Sequence, residues 1–269
     1  VEKVKIGVVS RFDLPEAIKL TKKVLGWLPG AEVVLAPGVA RELDEKGVSV
    51  ADMKVDALVT IGGDGTVLYV QQRAPDTPVL GINMGGTGFL TDVDPKDAQK
   101  ALKALIGGEL QLKERAKLAV EVSGERLPDA LNEAVVRVAS PSRMLTFEVL
   151  VDGEVTEGAR GDGVIVATPT GSTAYNMAAG GPVLDPRLEA FIMTPLYTHQ
   201  PRATSLVLPM SSTIEVKLLR PERKAQVTID GQFTREASSK DRILFHRSEN
   251  PAKFFEWGSK FYQKVKEKL

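Results

Sequence analysis

The sequence has no cysteine, which removes disulfides, thiolate metal centres and a cysteine nucleophile. Histidine is nearly as scarce: His199 and His246 are the only two, too few for a histidine-built metal cluster. Net charge is missing as well. Lysine plus arginine and aspartate plus glutamate both total 35, so no global field favours nucleic acid or an anionic membrane, and a charged ligand must be met by a local site. Apolar runs of membrane-spanning length are absent, and residues 1–5 show no signal-peptide hydrophobic region. The expectation is a soluble, cytoplasmic protein with no membrane and no nucleic-acid partner. Three catalytic signatures are absent too. Without G-x-x-x-x-G-K-[ST] a P-loop ATPase loses support, without G-x-G-x-x-G a standard dinucleotide dehydrogenase, and without G-x-S-x-G a serine hydrolase.

What is present is glycine, clustered at the ends of apolar runs. Residues 61–66 read Ile-Gly-Gly-Asp-Gly-Thr, after Val55, Ala57, Leu58 and Val59 and before a helical stretch at 67–73. A turn of this kind at the end of a strand presents backbone N–H groups, and glycine permits the close approach and positive φ that this requires. A carboxylate among phosphate-binding amides repels a phosphate unless it holds a metal or takes a proton from the attacking group. Asp64 therefore turns the reading from anion binding toward phosphoryl transfer. A second account is equally open at this point: a tight strand-to-helix turn with Asp64 as N-cap.

Around this turn the first third of the chain alternates strand and helix. Strands are expected at 5–10, 32–35, 55–61 and 78–82 and a helix at 15–28, a β-α-β pattern that implies a mostly parallel sheet with ligands beyond the carboxyl ends of its strands. Gly85, Gly86 and Gly88 form a second glycine turn at that same edge. A helix at 94–106, with Asp94 as N-cap and Gly107-Gly108 as stop, precedes a change of texture. From there short β-type runs at 110–122, 134–138, 145–151, 155–157, 164–168, 205–208, 213–218, 225–229 and 242–245 alternate with turns such as Asp152-Gly153 and Asp230-Gly231, the pattern of a β-sandwich. Residues 254–269 read as an aromatic helix that must bury a face, by returning to the first domain. The domains expected are 1–93 with 250–269, and 94–249.

The second region carries a dense stretch from Arg160 to Gly181, in which an apolar strand leads through the hydroxyls of Thr168, Thr170, Ser172 and Thr173 into small residues around Tyr175. Small residues let a flat ligand approach the backbone, and the tyrosine ring could cover one of its faces. Asn132-Glu133 offers an amide for a base edge and a carboxylate for ribose hydroxyls. Taken singly, each is also an ordinary turn or helix junction.

Together these elements resemble the NAD kinase family. The resemblance rests on Gly62, Gly63, Asp64, Gly65 and Thr66, on residues 81–83 and 88–92, on Asn132-Glu133, on residues 162–181 and on Asp230-Gly231-Gln232, in the family's order along most of the chain. It implies a Rossmann-like α/β N-terminal domain with a mostly parallel sheet, an all-β sandwich C-terminal domain, an active site between them, and a last helix packed back on the first. It also implies transfer of the ATP γ-phosphoryl to the adenosine 2′-hydroxyl of NAD, giving NADP, with a divalent metal, Mg²⁺ being expected, carried mainly by ATP and no protein metal ligand assigned. By the same resemblance Asp64 is the catalytic proton acceptor, and Gly62, Gly63, Gly65 and Thr66 bind phosphate. Asp64, Gly65, Asn132, Glu133, Arg143, Arg160, Asp162, Thr173, Ala174, Tyr175, Asn176, Met177, Ala178 and Gln232 line the NAD site, and Phe89 and Leu90 form part of its wall. A homodimer or homotetramer is expected. The chain departs from the family in having Tyr69 where many relatives place a basic residue, with Arg73 next available, and in the residues around His199 and Arg202, to which no role is assigned.

A free aspartate, with a pKa of about 3.9, is a weak base for a ribose hydroxyl, but a loose phosphoryl-transfer transition state needs the proton taken only late. Two rivals stand beside this reading. A lipid kinase sharing the glycine-aspartate turn would need an apolar acyl groove, which the hydroxyl-rich stretch at 168–175 does not suggest. A non-catalytic NAD or NADP sensor would have no use for a carboxylate facing phosphate.

Overall fold

The computed structural model describes residues 3–86, 88–140, 143–199, 203–258 and 261–268. Two compact units are formed, Val1–Glu114 with Ala252–Leu269, and Arg115–Pro251.

The chain begins with β1 (Lys5–Ser10), α1 (Pro15–Gly26), β2 (Glu32–Leu35), α2 (Pro37–Glu42), β3 (Ala57–Gly62), α3 (Asp64–Arg73), β4 (Val79–Asn83), α4 (Ala98–Ile106) and β5 (Leu112–Arg115). Proline opens both α1 and α2, where its missing N–H is not needed and its fixed φ suits a helix start. Ala17, Leu20, Thr21 and Val24 recur at helical spacing and give α1 one buried face. All of β3 is buried, as expected for a central parallel strand covered on both faces. Its parallel partners are β1, with Val8 opposite Val59, and β4, with Val59 opposite Leu80.

The second unit contains β6 (Leu118–Val122), β7 (Glu125–Arg126), β8 (Glu133–Val138), β9 (Leu145–Val151), β10 (Glu154–Gly161), β11 (Gly163–Ala167), α5 (Tyr175–Ala178), β12 (Ala190–Leu196), β13 (Leu206–Pro209), β14 (Ile214–Leu218), β15 (Ala225–Ile229), β16 (Phe233–Ala237) and β17 (Ile243–Arg247). These strands make two six-stranded antiparallel sheets, ordered β10-β9-β14-β17-β6-β7 and β13-β12-β11-β8-β15-β16. Alternate residues of both meet in one core that includes Phe147, Val149, Phe245, Val136, Val164, Val166, Phe191 and Met193. Each fully buried phenylalanine there contributes about 1.5–3 kcal/mol of burial free energy. On the opposite face of the second sheet, Val135, Ile165, Ala167, Ile192 and Leu196 pack with Ala179 and Leu184, which fixes the segment around α5 against β11.

The chain ends with β18 (Ala252–Phe255) and α6 (Phe261–Lys268). The first sheet thereby reads β2-β1-β3-β4-β18-β5, with Phe254 opposite Val79.

The mostly parallel α/β unit, the β-sandwich and the return of the C-terminal helix to the first unit match the fold expected from sequence. Three details are corrected. Residues 254–257 do not open a helix, because β4 offers a free edge that Phe254 and Phe255 join as strand. The first unit runs on to Glu114 rather than stopping at residue 93, because Ala98, Ala101, Leu102 and Leu105 of α4 belong to its core. Two strands with no expected counterpart, β12 and β16, complete the second sheet.

Candidate active site

In the first unit β3 ends at Gly62, and α3 begins two residues later with Gly63 as its N-cap residue and Asp64 in its first turn. The expectation of Asp64 as a side-chain N-cap is not met, since α3 has no side-chain cap. The carboxylate instead reaches the second glycine turn, where Oδ2 accepts the Phe89 N–H at 2.6 Å and Oδ1 the Leu90 N–H at 2.9 Å. Parallel pairing of β3 with β4 is what brings both turns to one sheet edge, with Gly62 opposite Asn83. The second turn is glycine for a backbone reason at Gly85 and Gly86, whose φ values are +101° and +102°. At Gly88 the reason is space: a Cβ there would lie 2.7 Å from Asp64 Oδ1.

Gly63 and Gly65 differ. Neither has a positive φ, and an added Cβ would meet nothing within 4 Å at either position. Backbone conformation and packing leave both glycines unexplained, whereas close approach of a phosphate to the first amides of α3 explains both. Thr66 is half-buried, and its hydroxyl lies where a Cβ on Gly62 would have to pass. Of the two residues assigned to the wall, Phe89 meets the Phe261 ring at a tilt of 56°, centroids 6.1 Å apart, while Leu90 is buried.

In the second unit the Asp230 carboxylate accepts three consecutive backbone N–H groups, from Leu131 (2.8 Å), Asn132 (2.8 Å) and Glu133 (3.1 Å). Asp230 and Gly231 have φ of +49° and +65° in the three-residue turn between β15 and β16, whose ends pair as Ile229 opposite Phe233, so Asp230 both makes the turn and anchors the start of β8. Gln232 is exposed beside it. Thr168 bonds Leu131 O through its hydroxyl at 2.6 Å, and Gly171 packs so closely on the Asn132 carbonyl that no Cβ fits. These contacts seat residues 168–178 against Asn132 and Glu133. Glu133 is 8 % exposed, and its Oε2 has no hydrogen-bond partner among the described residues. Burial, followed by the Asp230 charge, pushes its carboxyl up to about 8, against a smaller opposing pull from the Tyr175 backbone N–H. A buried carboxyl with an orphaned oxygen costs stability unless something else meets it, and ribose hydroxyls have the complementary chemistry.

Tyr175 is 41 % exposed, with Thr173, Ala174 and Met177 half-buried and Ala178 exposed around it. Asn176 is different. Its amide donates to Ser172 O and Pro182 O, both at 3.0 Å, and its oxygen accepts the Thr194 hydroxyl at 2.7 Å, so it holds the turn and presents nothing outward. Arg143, Arg160 and Asp162 are not brought to this cluster within the chain. Val138, at the far end of β8 from Glu133, donates its N–H to Asp162 O, which places Asp162 about 17 Å along the strand direction from Glu133. Arg160 pairs with Thr146 and His199 at that same far end, and Arg143 is exposed just before β9. Arg202 lies outside the described residues. The anchoring role of Asp230 was hidden in the sequence behind a turn motif.

Residues 33–110 match the model of the ATP-NAD kinase N-terminal domain and residues 131–257 that of the ATP-NAD kinase C-terminal domain. The NAD kinase of Methanothermobacter thermautotrophicus is 44 % identical over 98 % of this chain and 96 % of its own length. The chain belongs to the NAD kinase family. Another member, the NAD kinase of Thermococcus kodakarensis, is 38 % identical over 98 % of both chains. A crystal structure of an NAD kinase from Archaeoglobus fulgidus in complex with ATP superposes with a TM-score of 0.82, at 31 % identity over 98 % of this chain and 99 % of that one. Yeast NADH kinase, crystallised with NADH, gives a TM-score of 0.89 at 23 % identity over 98 % of this chain and 87 % of that one, which shows the shared fold. Family membership makes the chain a phosphotransferase with an alcohol acceptor, and neither rival reading is carried forward.

Proposed function

We propose that this chain transfers the γ-phosphoryl group of ATP to the adenosine 2′-hydroxyl of NAD, yielding NADP and ADP, with Asp64 as the proton acceptor. The observation that carries the reading is the setting of Asp64: a carboxylate fixed by two backbone amides, between two glycines that only an approaching ligand explains. Held in this way, Asp64 can orient the attacking hydroxyl and take its proton once the new O–P bond has begun to form. Backbone amides in the first turn of α3 stabilise the transferring phosphoryl group, and immobility of Asp64 reduces the reorganisation required at the moment of reaction. In the second unit Glu133 meets the ribose hydroxyls, Asn132 an edge of a base, and Tyr175 the face of one.

Mg²⁺ enters as part of the ATP substrate, where it neutralises phosphate charge. A homodimer or homotetramer and a cytoplasmic location belong to the same proposal. Separation of Arg143, Arg160 and Asp162 from Glu133 within one chain supports the assembly, since a second copy could supply what one copy holds apart. Among the described residues no helix is long and apolar enough to cross a membrane.

The test is NADP formation by the purified chain with ATP, Mg²⁺ and NAD, read by an NADP-specific coupled dehydrogenase. NADP accumulates, and EDTA stops it. Binding of NAD without any NADP would return the chain to the sensor reading.

A further inference from the structure

The loop from Gly88 to Asp92 supplies the two amides that fix Asp64, and the opposite side of that loop is held by one side chain. Lys264, on α6, is 8 % exposed. Its ammonium donates to Thr91 O at 2.9 Å, to Asp92 Oδ1 at 2.7 Å and to Phe89 O at 3.4 Å, which uses all three of its protons. One turn earlier on the same helix, Phe261 packs its ring on Phe89. The peptide units around Phe89 and Leu90 are thus gripped from both sides, N–H groups by Asp64 and carbonyls by Lys264. A buried lysine is retained at a site only where its charge is met, and here the charge is met by the loop that carries the catalytic aspartate's donors.

We propose that Lys264 is a positioning residue for Asp64, acting through this loop, a role that rests on the phosphotransfer reading given above. Neither substrate needs to touch it. Without the ammonium, two carbonyls and Asp92 lose their shared donor, the loop relaxes, and the amides of Phe89 and Leu90 no longer hold the carboxylate in one orientation. Misplacement of a reacting group by about 1 Å can cost on the order of 100-fold in rate. The C-terminal helix, remote in sequence from the glycine turns, then sets the geometry at the reacting oxygen.

Lys264→Met keeps the length and volume of the side chain and removes its charge, while Asp92→Asn weakens the same clamp from the loop side and serves where the first variant folds poorly. Expected for Lys264→Met is a kcat lowered by about 10- to 100-fold, with faster amide exchange at Phe89 and Leu90 measured by NMR. In an Asp64→Asn background the same change should leave kcat within about twofold, because two residues acting through one step do not add. A lowered melting temperature with kcat and both exchange rates unchanged would overturn the proposal, as would losses that multiply in the double variant. Should the wild-type chain form no NADP, the phosphotransfer reading falls on its own. The exchange arm then decides the clamp: faster exchange at both amides in Lys264→Met or Asp92→Asn supports it, and wild-type exchange overturns it.

Discussion

Replacing Glu133 by glutamine should reshape the dependence of stability on pH. In the folded chain the Glu133 carboxyl is held up to about 8, against an ordinary value of 4.5, with burial as the main cause. Below pH 4.5 the group is protonated in both folded and unfolded states and has no differential effect. Between 4.5 and 8 the folded state keeps a proton that the unfolded state releases, so stability falls as pH rises. Above 8 both states are ionised and the loss is complete. At about 1.4 kcal/mol per pH unit the whole interval amounts to about 5 kcal/mol, of which about 2 falls between pH 6 and 8. Glutamine fills the same volume without titrating. Urea denaturation of the wild type and Glu133→Gln from pH 5 to 9 isolates this residue, because Asp13 and Asp241, held low by their partners, titrate alike in both proteins. The variant should match the wild type near pH 5 and gain on it steadily until above pH 8. A difference that stays flat over that range would refute the assignment of Glu133 as a buried carboxyl with one orphaned oxygen.

Asp64→Asn should lower kcat by about 10²- to 10⁴-fold through loss of the proton acceptor. It should also reduce stability by about 1.5–3 kcal/mol, because asparagine can accept only one of the Phe89 and Leu90 N–H groups and turns a donor toward the other; near wild-type turnover in a steady-state assay would remove Asp64 from the mechanism. Gly65→Ala, within α3 and facing open space, should raise the melting temperature, since alanine is favoured in helices by up to about 1 kcal/mol. The same variant should raise the KM for ATP, and an unchanged KM would mean that no phosphate comes close to that amide. Tyr175→Ala should raise the KM for NAD at nearly constant kcat, as expected of a ring that covers ground state and transition state alike; a collapse of kcat with KM unchanged would place the ring in the chemistry.

Elements with a strong local signature were legible in the sequence. Strand β3 and the glycine turn that follows it could be read from one apolar run and its abrupt end, and β9 and β15 were bounded to the residue by alternation. Strand β12 was hidden by Pro195, which ordinarily argues against a strand interior yet here lies opposite Val164. Phe254 and Phe255 fit a buried strand or a buried helix equally well, and the choice was made by the free edge of β4, some 170 residues earlier. Motif membership did not disclose which way a side chain points: Tyr175 and Asn176 are neighbours in one motif, the first facing out and the second consumed by the turn. Least legible was Asp230, whose bonds to Leu131, Asn132 and Glu133 span 97 to 99 positions and leave no periodic trace.

The insertion of β18 between β4 and β5 has a consequence for biosynthesis. Ribosomes deliver the chain from its N-terminus, so every strand of the Arg115–Pro251 unit emerges before β18 does. The usual order, in which the N-terminal domain folds first, is therefore inverted: the second unit can close while β4 still shows an unpaired edge and β5 has no neighbour in its sheet. An apolar parallel strand left open for that long is a template for pairing with another nascent chain. Lys264 arrives later still, after every strand of both units, so the loop around Asp64 acquires its clamp only once both sets of strands have emerged, and a product ended before α6 would carry every glycine of the turn at Asp64 without that clamp.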